Sequence, residues 1–304
     1  MEEKIIVVCG PTASGKTCVS VELAKILGAE IISADSVQIY KELGIGAAKP
    51  TAGEMSGIKH HLIDIISVTS APFSVAGYVK EADARARDIQ SRNKRVIVCG
   101  GTGLYIDHFI NGTEFSDRGR DAEYRERLEA LPGCDLYKML AETDPGSAEK
   151  IHPNNRQRII RALEIYKLTG MPKSESDRLA YPEKPKYDSI KLALNFSDRG
   201  ALYEKINGRV DTMLENGLLE EARGLYERGL ERDIRRTGAI GYVELLDYFN
   251  GLCGFGEAVE NIKRHTRNYA KRQLTWFKKD PKTIWVETGA PGGKIVENCL
   301  NLLV

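Results

Sequence analysis

The sequence lacks several features that would each indicate a particular class of protein. It has no run of about 18 apolar residues, so no membrane-spanning segment is predicted. Its six cysteines are scattered and include no Cys-x-x-Cys pair, which argues against both a disulfide framework and a zinc site. Residues 1–10 also lack the charged and apolar pattern of a signal peptide. We therefore expect a cytoplasmic monomer with no membrane partner.

The composition that remains is that of an ordinary globular protein. The chain has 304 residues, of which 42% are hydrophobic and 29% are charged. This length exceeds one average domain, so we expect either two domains or one large domain with an insertion. The formal net charge of +1 does not indicate a nucleic-acid partner by itself, because it averages over the whole surface.

A glycine-rich loop follows the first predicted strand, which covers residues 4–9. The loop consists of Gly10, Pro11, Thr12, Ala13, Ser14, Gly15, Lys16 and Thr17, and an amphipathic helix follows it directly. In this context the pattern is typical of a phosphate-binding P-loop, in which backbone amides and the helix N-terminus hold the anion. Lys16 adds a positive charge, and the Thr17 hydroxyl suits a magnesium ion. The loop thus predicts a polyphosphate site with Mg²⁺ as cofactor, and nucleotide triphosphates are the commonest ligands of such loops.

Further short β-branched segments alternate with amphipathic helical segments. Strands are predicted at 30–34, 95–99 and 189–196. This alternation indicates a parallel sheet with right-handed crossovers. A central stretch differs, because it is rich in Arg, Glu and Pro and contains no strong strand. We predict an α/β fold, with a P-loop core of parallel sheet flanked by helices at 1–112 and 188–304, and an inserted all-helical domain at 113–187.

A carboxylate follows the second predicted strand. Asp35 is expected at the carboxyl edge of the sheet, on the same side as the P-loop and where α/β proteins bind ligands. Two roles stay open, because Asp35 either caps a turn or acts on a ligand. Ser36 and Gln38 beside it carry polar groups that can hydrogen-bond a nucleobase. The next strand ends in Gly-Gly-Thr at 100–102 rather than in the Asp that helps to hold magnesium in many NTPases, which weakens the case for a nucleotide triphosphate.

Positive charge is concentrated in one stretch of the chain. Residues 263–282 contain eight Lys or Arg residues and a single acidic residue, Asp280. Such a segment is either a nucleic-acid surface that contacts backbone phosphates or the solvated face of an amphipathic helix. The sequence alone leaves both interpretations open.

Several motifs, in their order and spacing, resemble those of one family, the tRNA dimethylallyltransferases of bacterial type, also called tRNA isopentenyltransferases. The matching stretches are GPTASGKT at 10–17, DSVQIY at 35–40, HHLID at 60–64, FSVA at 73–76, GGTGLY at 100–105, IHPNNR at 151–156, RALE at 161–164, AIGY at 239–242 and YAKRQ at 269–273. The resemblance spans almost the whole chain. It implies transfer of the dimethylallyl group from dimethylallyl diphosphate to N6 of adenosine 37 in tRNA, with release of diphosphate.

The resemblance also implies catalytic roles. Asp35 becomes the general base for the acceptor adenine, and Thr102 and Lys16 become further catalytic residues. The adenine must leave the stack of the anticodon loop to reach Asp35. Hydrolysis of ATP is not required.

A diphosphate site is implied as well. The P-loop and Arg209 hold the diphosphate, and Thr17 holds Mg²⁺. Lys205 stands where the family often has Arg, and it offers a point charge instead of a bidentate fork. We therefore favour Arg209 over Lys205 as a diphosphate ligand.

The anticodon stem-loop of tRNA is the implied partner, and the inserted helical domain is its implied clamp. The residues implied to contact tRNA are Asp35, Ser36, Val37, Gln38, Thr102, Arg125, Gln157, Arg158, Ile159, Ile160, Arg161, Gly238, Ala239, Ile240, Gly241, Tyr242, Arg267, Lys271 and Arg272. The basic segment at 263–282 thereby gains a specific partner.

Three other functions also fit parts of the sequence. A P-loop small-molecule kinase explains residues 10–17 equally well, but it gives no role to the insertion or the basic segment. An adenylate isopentenyltransferase acting on free nucleotide shares the chemistry and also has no use for the tRNA surfaces. A non-catalytic RNA-binding protein leaves Asp35 without a role. His60 and His61 are unassigned, because structural histidines are the commoner explanation.

Overall fold

The computed structural model describes residues 4–115, 119, 121–288 and 292–303. The chain divides into two units. The core unit consists of Met1–Ile110 and Tyr187–Val304, and the helical unit is Asn111–Lys186.

Within the described residues, a six-stranded sheet forms the centre of the core unit. Its strands are β1 (Ile5–Cys9), β2 (Ala29–Ala34), β3 (His60–His61), β4 (Arg95–Gly100), β5 (Ser189–Asn195) and β6 (Ile284–Glu287). The spatial order is β3-β2-β4-β1-β5-β6, and every pair is parallel. The predicted α/β fold with a parallel sheet is therefore confirmed. Strand β3 was not predicted, because two residues are too few to give a hydrophobic pattern.

Helices flank the sheet and build the helical unit. In chain order they are α1 (Lys16–Leu27), α2 (Ala52–Met55), α3 (Val75–Ser91), α4 (Gly103–Asn111), α5 (Ala122–Ala130), α6 (Gly133–Thr143), α7 (Pro145–Ala148), α8 (Arg156–Thr169), α9 (Lys173–Ala180), α10 (Arg199–Glu215), α11 (Leu218–Glu227), α12 (Glu231–Thr237), α13 (Tyr242–Phe249), α14 (Phe255–Phe277) and α15 (Gly292–Asn301). Helices α5 to α9 belong to the helical unit. Among the described residues, none of these helices has the length and apolar character needed to cross a bilayer.

Alternate residues of the central strand face opposite sides of the sheet. Ile5 and Val7 of β1 pack in one cluster with residues of α3 and α4, such as Phe109. Ile6 and Val8 pack in another cluster with residues of α1 and α15. All of β1 is buried, as expected for a parallel strand that helices cover on both faces.

The helical unit has a hydrophobic core of its own, to which Leu128 of α5 and Ile159 of α8 belong. Glu164 of α8 is also fully buried there. Its carboxylate pairs with Arg161 at 2.6 Å and with Arg125 at 3.7 Å, two of the predicted tRNA contacts. A buried carboxylate needs such partners, so both arginines have a role inside the unit.

The carboxyl ends of the parallel strands meet at one edge of the sheet. The P-loop follows β1, Asp35 follows β2, and Gly101 and Thr102 follow β4. Because α/β proteins bind ligands at this edge, the topology brings the predicted site residues of the core unit to a suitable place.

Candidate active site

The P-loop closes tightly over the end of β1. Gly10 has a φ of 132°, and a Cβ atom at this position would overlap the carbonyl oxygen of Leu194. Glycine, which has no Cβ atom, allows both the positive φ and the close approach of the Leu194 carbonyl oxygen. Lys16 folds back over the loop, and its Nζ donates a hydrogen bond to the Pro11 carbonyl oxygen at 2.7 Å. The loop therefore holds the Lys16 charge at the edge of the sheet, beside the N-terminus of α1.

Two cations lie close together here. Burial lowers the pKa of Lys16 to about 8, and the nearby charge of Arg209 acts in the same direction. Burial also lowers the pKa of Arg209, whose Nη1 donates to Thr12 Oγ1 at 3.2 Å. A lowered pKa means that the surroundings do not fully compensate these positive charges. An anion bound beside them would do so, and the arrangement therefore favours a phosphate ligand.

Two cavities meet at this edge. The first, of about 380 Å³, is lined by P-loop residues and by Asp35, Lys205, Arg209 and Tyr269. The second, of about 220 Å³, is lined largely by apolar residues such as Ile240. Asp35, Arg209 and Tyr269 line both cavities. Asp35 thus lies on the wall between a charged cavity and a largely apolar one.

The two oxygens of Asp35 have different surroundings. Oδ1 accepts hydrogen bonds from the backbone amides of Val37 at 2.8 Å and of Gln38 at 3.2 Å, which closes a turn after β2. Among the described residues, no group donates to Oδ2. The first oxygen performs the capping role considered from the sequence, and the second has room for a ligand.

Hydrogen bonds join the ends of β2 and β4. The Thr102 amide donates to the Ala34 carbonyl at 3.1 Å, and Thr102 Oγ1 accepts from the Ser36 amide at 3.2 Å. The Gln38 side chain donates to the Ala48 carbonyl at 3.2 Å. Thr102 and Gln38 therefore hold the turn after β2 in place, and their contacts with a substrate stay predictions.

The loop at residues 44–48 contributes to the walls of both cavities. A hydrogen bond to the buried side chain of Tyr242 fixes its position. The Gly46 amide donates to the Tyr242 hydroxyl at 3.1 Å, and that hydroxyl donates in turn to Glu221. Tyr242 is fully buried, and a Cβ atom at Gly46 would overlap its ring. The side chain of Tyr242, a predicted tRNA contact, thus lies in the core behind the cavity wall.

Helix α14 supplies two site residues, Tyr269 and Gln273, to which the sequence analysis gave no individual role. Tyr269 lines both cavities, and burial raises the pKa of its hydroxyl. Gln273 accepts a hydrogen bond from the Thr12 amide at 2.8 Å and donates to the Gly101 carbonyl at 3.1 Å. Both residues belong to the motif at 269–273, and their i, i+4 spacing places them on one helix face. This spacing within the motif was the signal in the sequence that could have identified Tyr269 and Gln273 as site residues.

The other predicted tRNA contacts of the core unit differ in exposure. Those that line the second cavity are Ser36, Val37, Gly238, Ile240, Gly241 and Arg272. Lys271 on α14 is exposed, and Arg267 donates to Asn207 Oδ1 at 2.6 Å. Ala239 is fully buried. The cavity-lining and exposed residues are the ones that a large ligand can reach.

In the helical unit, the predicted contacts at the start of α8 point in two directions. Gln157 and Arg158 are exposed. Ile159 and Ile160 are buried in the core of the unit. Of these four residues, Gln157 and Arg158 therefore present their side chains to solvent.

The P-loop offers a ligand of the kind that Mg²⁺ accepts. Thr17 lies in the first turn of α1. Both Thr17 and Asp35 line the first cavity. Within the part of the chain that the structure describes, no cluster of three or more His, Cys, Asp or Glu side chains is suited to a metal ion. Mg²⁺ usually keeps several waters and binds phosphate oxygens, so a hydroxyl beside a phosphate site fits this ion.

The core unit combines features that are typical of one group of enzymes. A parallel α/β sheet carries a P-loop after one strand and a carboxylate after another, and both line one cavity. Two cations with lowered pKa lie beside them. These features are those of a P-loop enzyme that acts on a phosphorylated substrate.

Comparison with known proteins gives the family. The family model described as IPP transferase matches residues 38–280. The tRNA dimethylallyltransferase of Caldanaerobacter subterraneus subsp. tengcongensis is 47% identical over 283 residues, which cover 91% of this chain and 90% of that protein. The tRNA dimethylallyltransferase of Geobacillus thermodenitrificans is 47% identical over 295 residues, which cover 96% of this chain and 92% of that protein.

Solved structures agree with this result. The full-length tRNA isopentenylpyrophosphate transferase from Bacillus halodurans is 41% identical, with a TM-score of 0.75 over 99% of this chain and 96% of that one. A eukaryotic dimethylallyltransferase, seen in crystallographic snapshots acting on tRNA, is 29% identical, with a TM-score of 0.81 over 94% of this chain and 74% of that one. The chain belongs to the IPP transferase family of tRNA dimethylallyltransferases and is a prenyltransferase. The family predicted from the motifs is confirmed.

Proposed function

We propose that the protein transfers the dimethylallyl group of dimethylallyl diphosphate to N6 of adenosine 37 in tRNA. A C–N bond forms to N6, the C–O bond to diphosphate breaks, and the N6 proton passes to Asp35. The observation that carries this proposal is the position of Asp35 on the wall shared by the two cavities. A base there lies between a leaving group in the P-loop and an acceptor in the second cavity.

The first cavity suits the diphosphate. P-loop amides, Lys16 and Arg209 give it a positive potential, and an anion would raise the lowered pKa of both side chains. Lys205 adds another cation to the lining. Thr17 would hold Mg²⁺, and the ion would supply positive charge that stabilises the diphosphate leaving group. Arg209 also contacts Thr12, so it shapes the loop as well as binding the ligand.

Asp35 Oδ2 suits the role of general base. Two backbone amides hold the partner oxygen, so the carboxylate is fixed in direction. An adenine amino group is a weak nucleophile, and proton transfer to a positioned carboxylate contributes about 10²–10⁴-fold to the rate. To reach this oxygen the adenine must unstack, which costs about a few kcal/mol in a duplex and less in a loop. An anticodon loop is therefore a suitable source of the acceptor base.

Each unit carries side chains that suit contacts with tRNA. On α14, Lys271 is exposed, and Arg272 is both exposed and part of the lining of the second cavity. In the helical unit, Gln157 and Arg158 are exposed. The three cations among them, Lys271, Arg272 and Arg158, suit backbone phosphates and would give binding that weakens with salt. We assign the anticodon stem-loop to these residues.

An assay with labelled substrate tests the proposed function. The protein is incubated with radiolabelled dimethylallyl diphosphate and Mg²⁺, together with unmodified tRNA, the same tRNA bearing G37, or AMP. Turnover of ATP is followed in parallel. We expect label in the tRNA that carries A37 and in neither of the other acceptors. Label in AMP contradicts the assignment to tRNA, and ATP-dependent phosphorylation of a small molecule without transfer supports the kinase alternative instead.

A further inference from the structure

The side chain of Gln273 lies between the P-loop and the turn that follows β4. It is 4% exposed, its Oε1 accepts from the Thr12 amide at 2.8 Å, and its Nε2 donates to the Gly101 carbonyl at 3.1 Å. These partners are 261 and 172 residues away in the chain. A single buried amide on α14 therefore connects two loops at the catalytic edge of the sheet.

The hydrogen bond to Thr12 also bears on Lys16. The Thr12 N–H and the Pro11 carbonyl belong to the same planar peptide unit. Gln273 accepts from the N–H of this unit, and the Lys16 ammonium group donates to its carbonyl at 2.7 Å. Rotation of the peptide would break both hydrogen bonds. Gln273 thus helps to fix the direction in which the loop holds Lys16.

In the turn after β4, Gly101 packs closely against the Gln273 side chain. A Cβ atom at Gly101 would overlap Nε2 of Gln273, whereas the nearest atom outside Gln273 is the Gly10 carbonyl oxygen at 3.5 Å. Gln273 is therefore the obstacle to a side chain at this position. We therefore expect an alanine at position 101 to displace the Gln273 side-chain amide and to disturb its other neighbours little.

Helix α14 is anchored close to Gln273. Trp276, one turn further on, donates from Nε1 to Asp107 at 2.7 Å. Lys191 of β5 donates to Asp107 at 2.9 Å and to Asp280, just beyond the helix, at 2.7 Å. These hydrogen bonds oppose movement of α14 along its axis. They therefore help to fix the position of the Gln273 side-chain amide.

We propose that Gln273 is a positioning residue for the transfer reaction. It sets the distance between the P-loop, which holds the diphosphate, and the turn after β4, where Thr102 is bonded to the segment that carries Asp35. The inference rests on the proposed function. It gives Gln273 no contact with tRNA, because the amide is buried between the two loops.

Single-turnover kinetics of Gln273→Met tests this role. The variant keeps the length of the side chain and removes both hydrogen bonds. With saturating dimethylallyl diphosphate and tRNA, we expect the rate of transfer to fall about 10- to 100-fold, since small misplacements of reacting groups have effects of this size. The Kd for tRNA should remain that of the wild type. Thr275→Val is the matched control, because Thr275 donates to the Lys271 carbonyl of its own helix at 2.9 Å. The control should transfer at the wild-type rate.

Gly101→Ala tests the same contact from the other side, and it carries the test if Gln273→Met does not fold. The added methyl group displaces the amide, so we expect a similar loss of rate. In a Gln273→Ala background the space is empty, and adding Gly101→Ala should change the rate little further. Such non-additivity is expected of residues that act through one contact. Losses that add independently would overturn the proposal.

Other outcomes also decide the matter. A wild-type rate of transfer in Gln273→Met overturns the proposal, whatever the affinity of the variant for tRNA. If that rate is accompanied by weaker tRNA binding, Gln273 is an RNA contact instead. Failure of the proposed function looks different, because the wild type and Thr275→Val then transfer no label to tRNA. In that case calorimetry with inorganic diphosphate decides, and we expect weaker binding to Gln273→Met. Equal affinity would contradict the positioning role.

Discussion

The two oxygens of Asp35 have different surroundings, and a single substitution separates the turn from the proposed base. In Asp35→Asn, the remaining carbonyl oxygen can still accept from the amides of Val37 and Gln38, so the turn is preserved. The oxygen that we propose as the base is replaced by an amide group, which cannot take the proton. We expect the single-turnover rate to fall by about 10²–10⁴-fold, while Tm and the Kd for tRNA are retained.

Asp188 provides the control for this substitution. Its carboxylate is largely exposed and lies 3.9 Å from Lys4 Nζ, away from both cavities. Asp188→Asn should therefore transfer at the wild-type rate. If Asp35→Asn transfers within a few-fold of the wild type, Asp35 is not the base.

The loop at residues 44–48 depends on two helices for its shape. Glu221 of α11 accepts from the Ile45 amide at 3.0 Å, and the Tyr242 hydroxyl of α13 accepts from the Gly46 amide at 3.1 Å. Tyr242→Phe leaves the Gly46 amide without this partner. We expect the free energy of unfolding, measured with urea, to fall by about 1–3 kcal/mol, because the partly buried Gly46 amide and the Glu221 carboxylate each lose a hydrogen-bond partner.

Tyr226→Phe is the comparison for this variant. The Tyr226 hydroxyl donates to Asn250 at 3.1 Å at an exposed position, where water can replace the lost bond. Its loss should therefore cost less than about 1 kcal/mol. Equal losses in the two variants would show that the cavity wall does not depend on Tyr242.

Strands β2 and β3 share a buried charge at their edge of the sheet. Glu30 is 3% exposed and accepts from Arg92 at 2.8 Å, from Lys94 at 2.8 Å and from His61 at 2.7 Å. The hydrogen bond from Arg92 is the main cause that holds the pKa of Glu30 far below its usual range. His61, unassigned from the sequence, thus has a structural partner.

Glu30→Gln should lower the free energy of unfolding at neutral pH by about 3 kcal/mol. This is the lower end for a broken buried ion pair, because Arg92 and Lys94 are partly exposed. The pKa of Glu30 is lower in the folded protein than in the unfolded chain, where it is about 4.3. Its contribution is therefore complete above about pH 4.3 and is lost as pH falls through the folded-state pKa. Denaturation at several pH values should show the two proteins converging on acidification, and a constant difference would contradict this account.

Across the whole molecule, what could be predicted depends on how far apart the partners lie in the chain. The parallel sheet, the P-loop and the position of Asp35 follow from local patterns of apolar, glycine and polar residues. The partnership of Gln273 with Thr12 spans 261 residues, and that of Tyr242 with Gly46 spans 196. Local patterns carry no information on such pairs, because folding alone brings them together. Buried positions among the implied tRNA contacts, such as Ile159, were likewise not distinguished from exposed ones.

The proposed transfer to tRNA involves the whole molecule, since it requires a phosphate site, a base and a tRNA surface to act together. The most direct measurement is mass spectrometry of tRNA after reaction with dimethylallyl diphosphate and Mg²⁺, with digestion to map the modified nucleotide. We predict one added dimethylallyl group, at N6 of adenosine 37, and far less product in the same time with Asp35→Asn. A dimethylallyl group on another nucleotide or atom, or unmodified adenosine 37 after prolonged reaction with folded protein, would contradict the account.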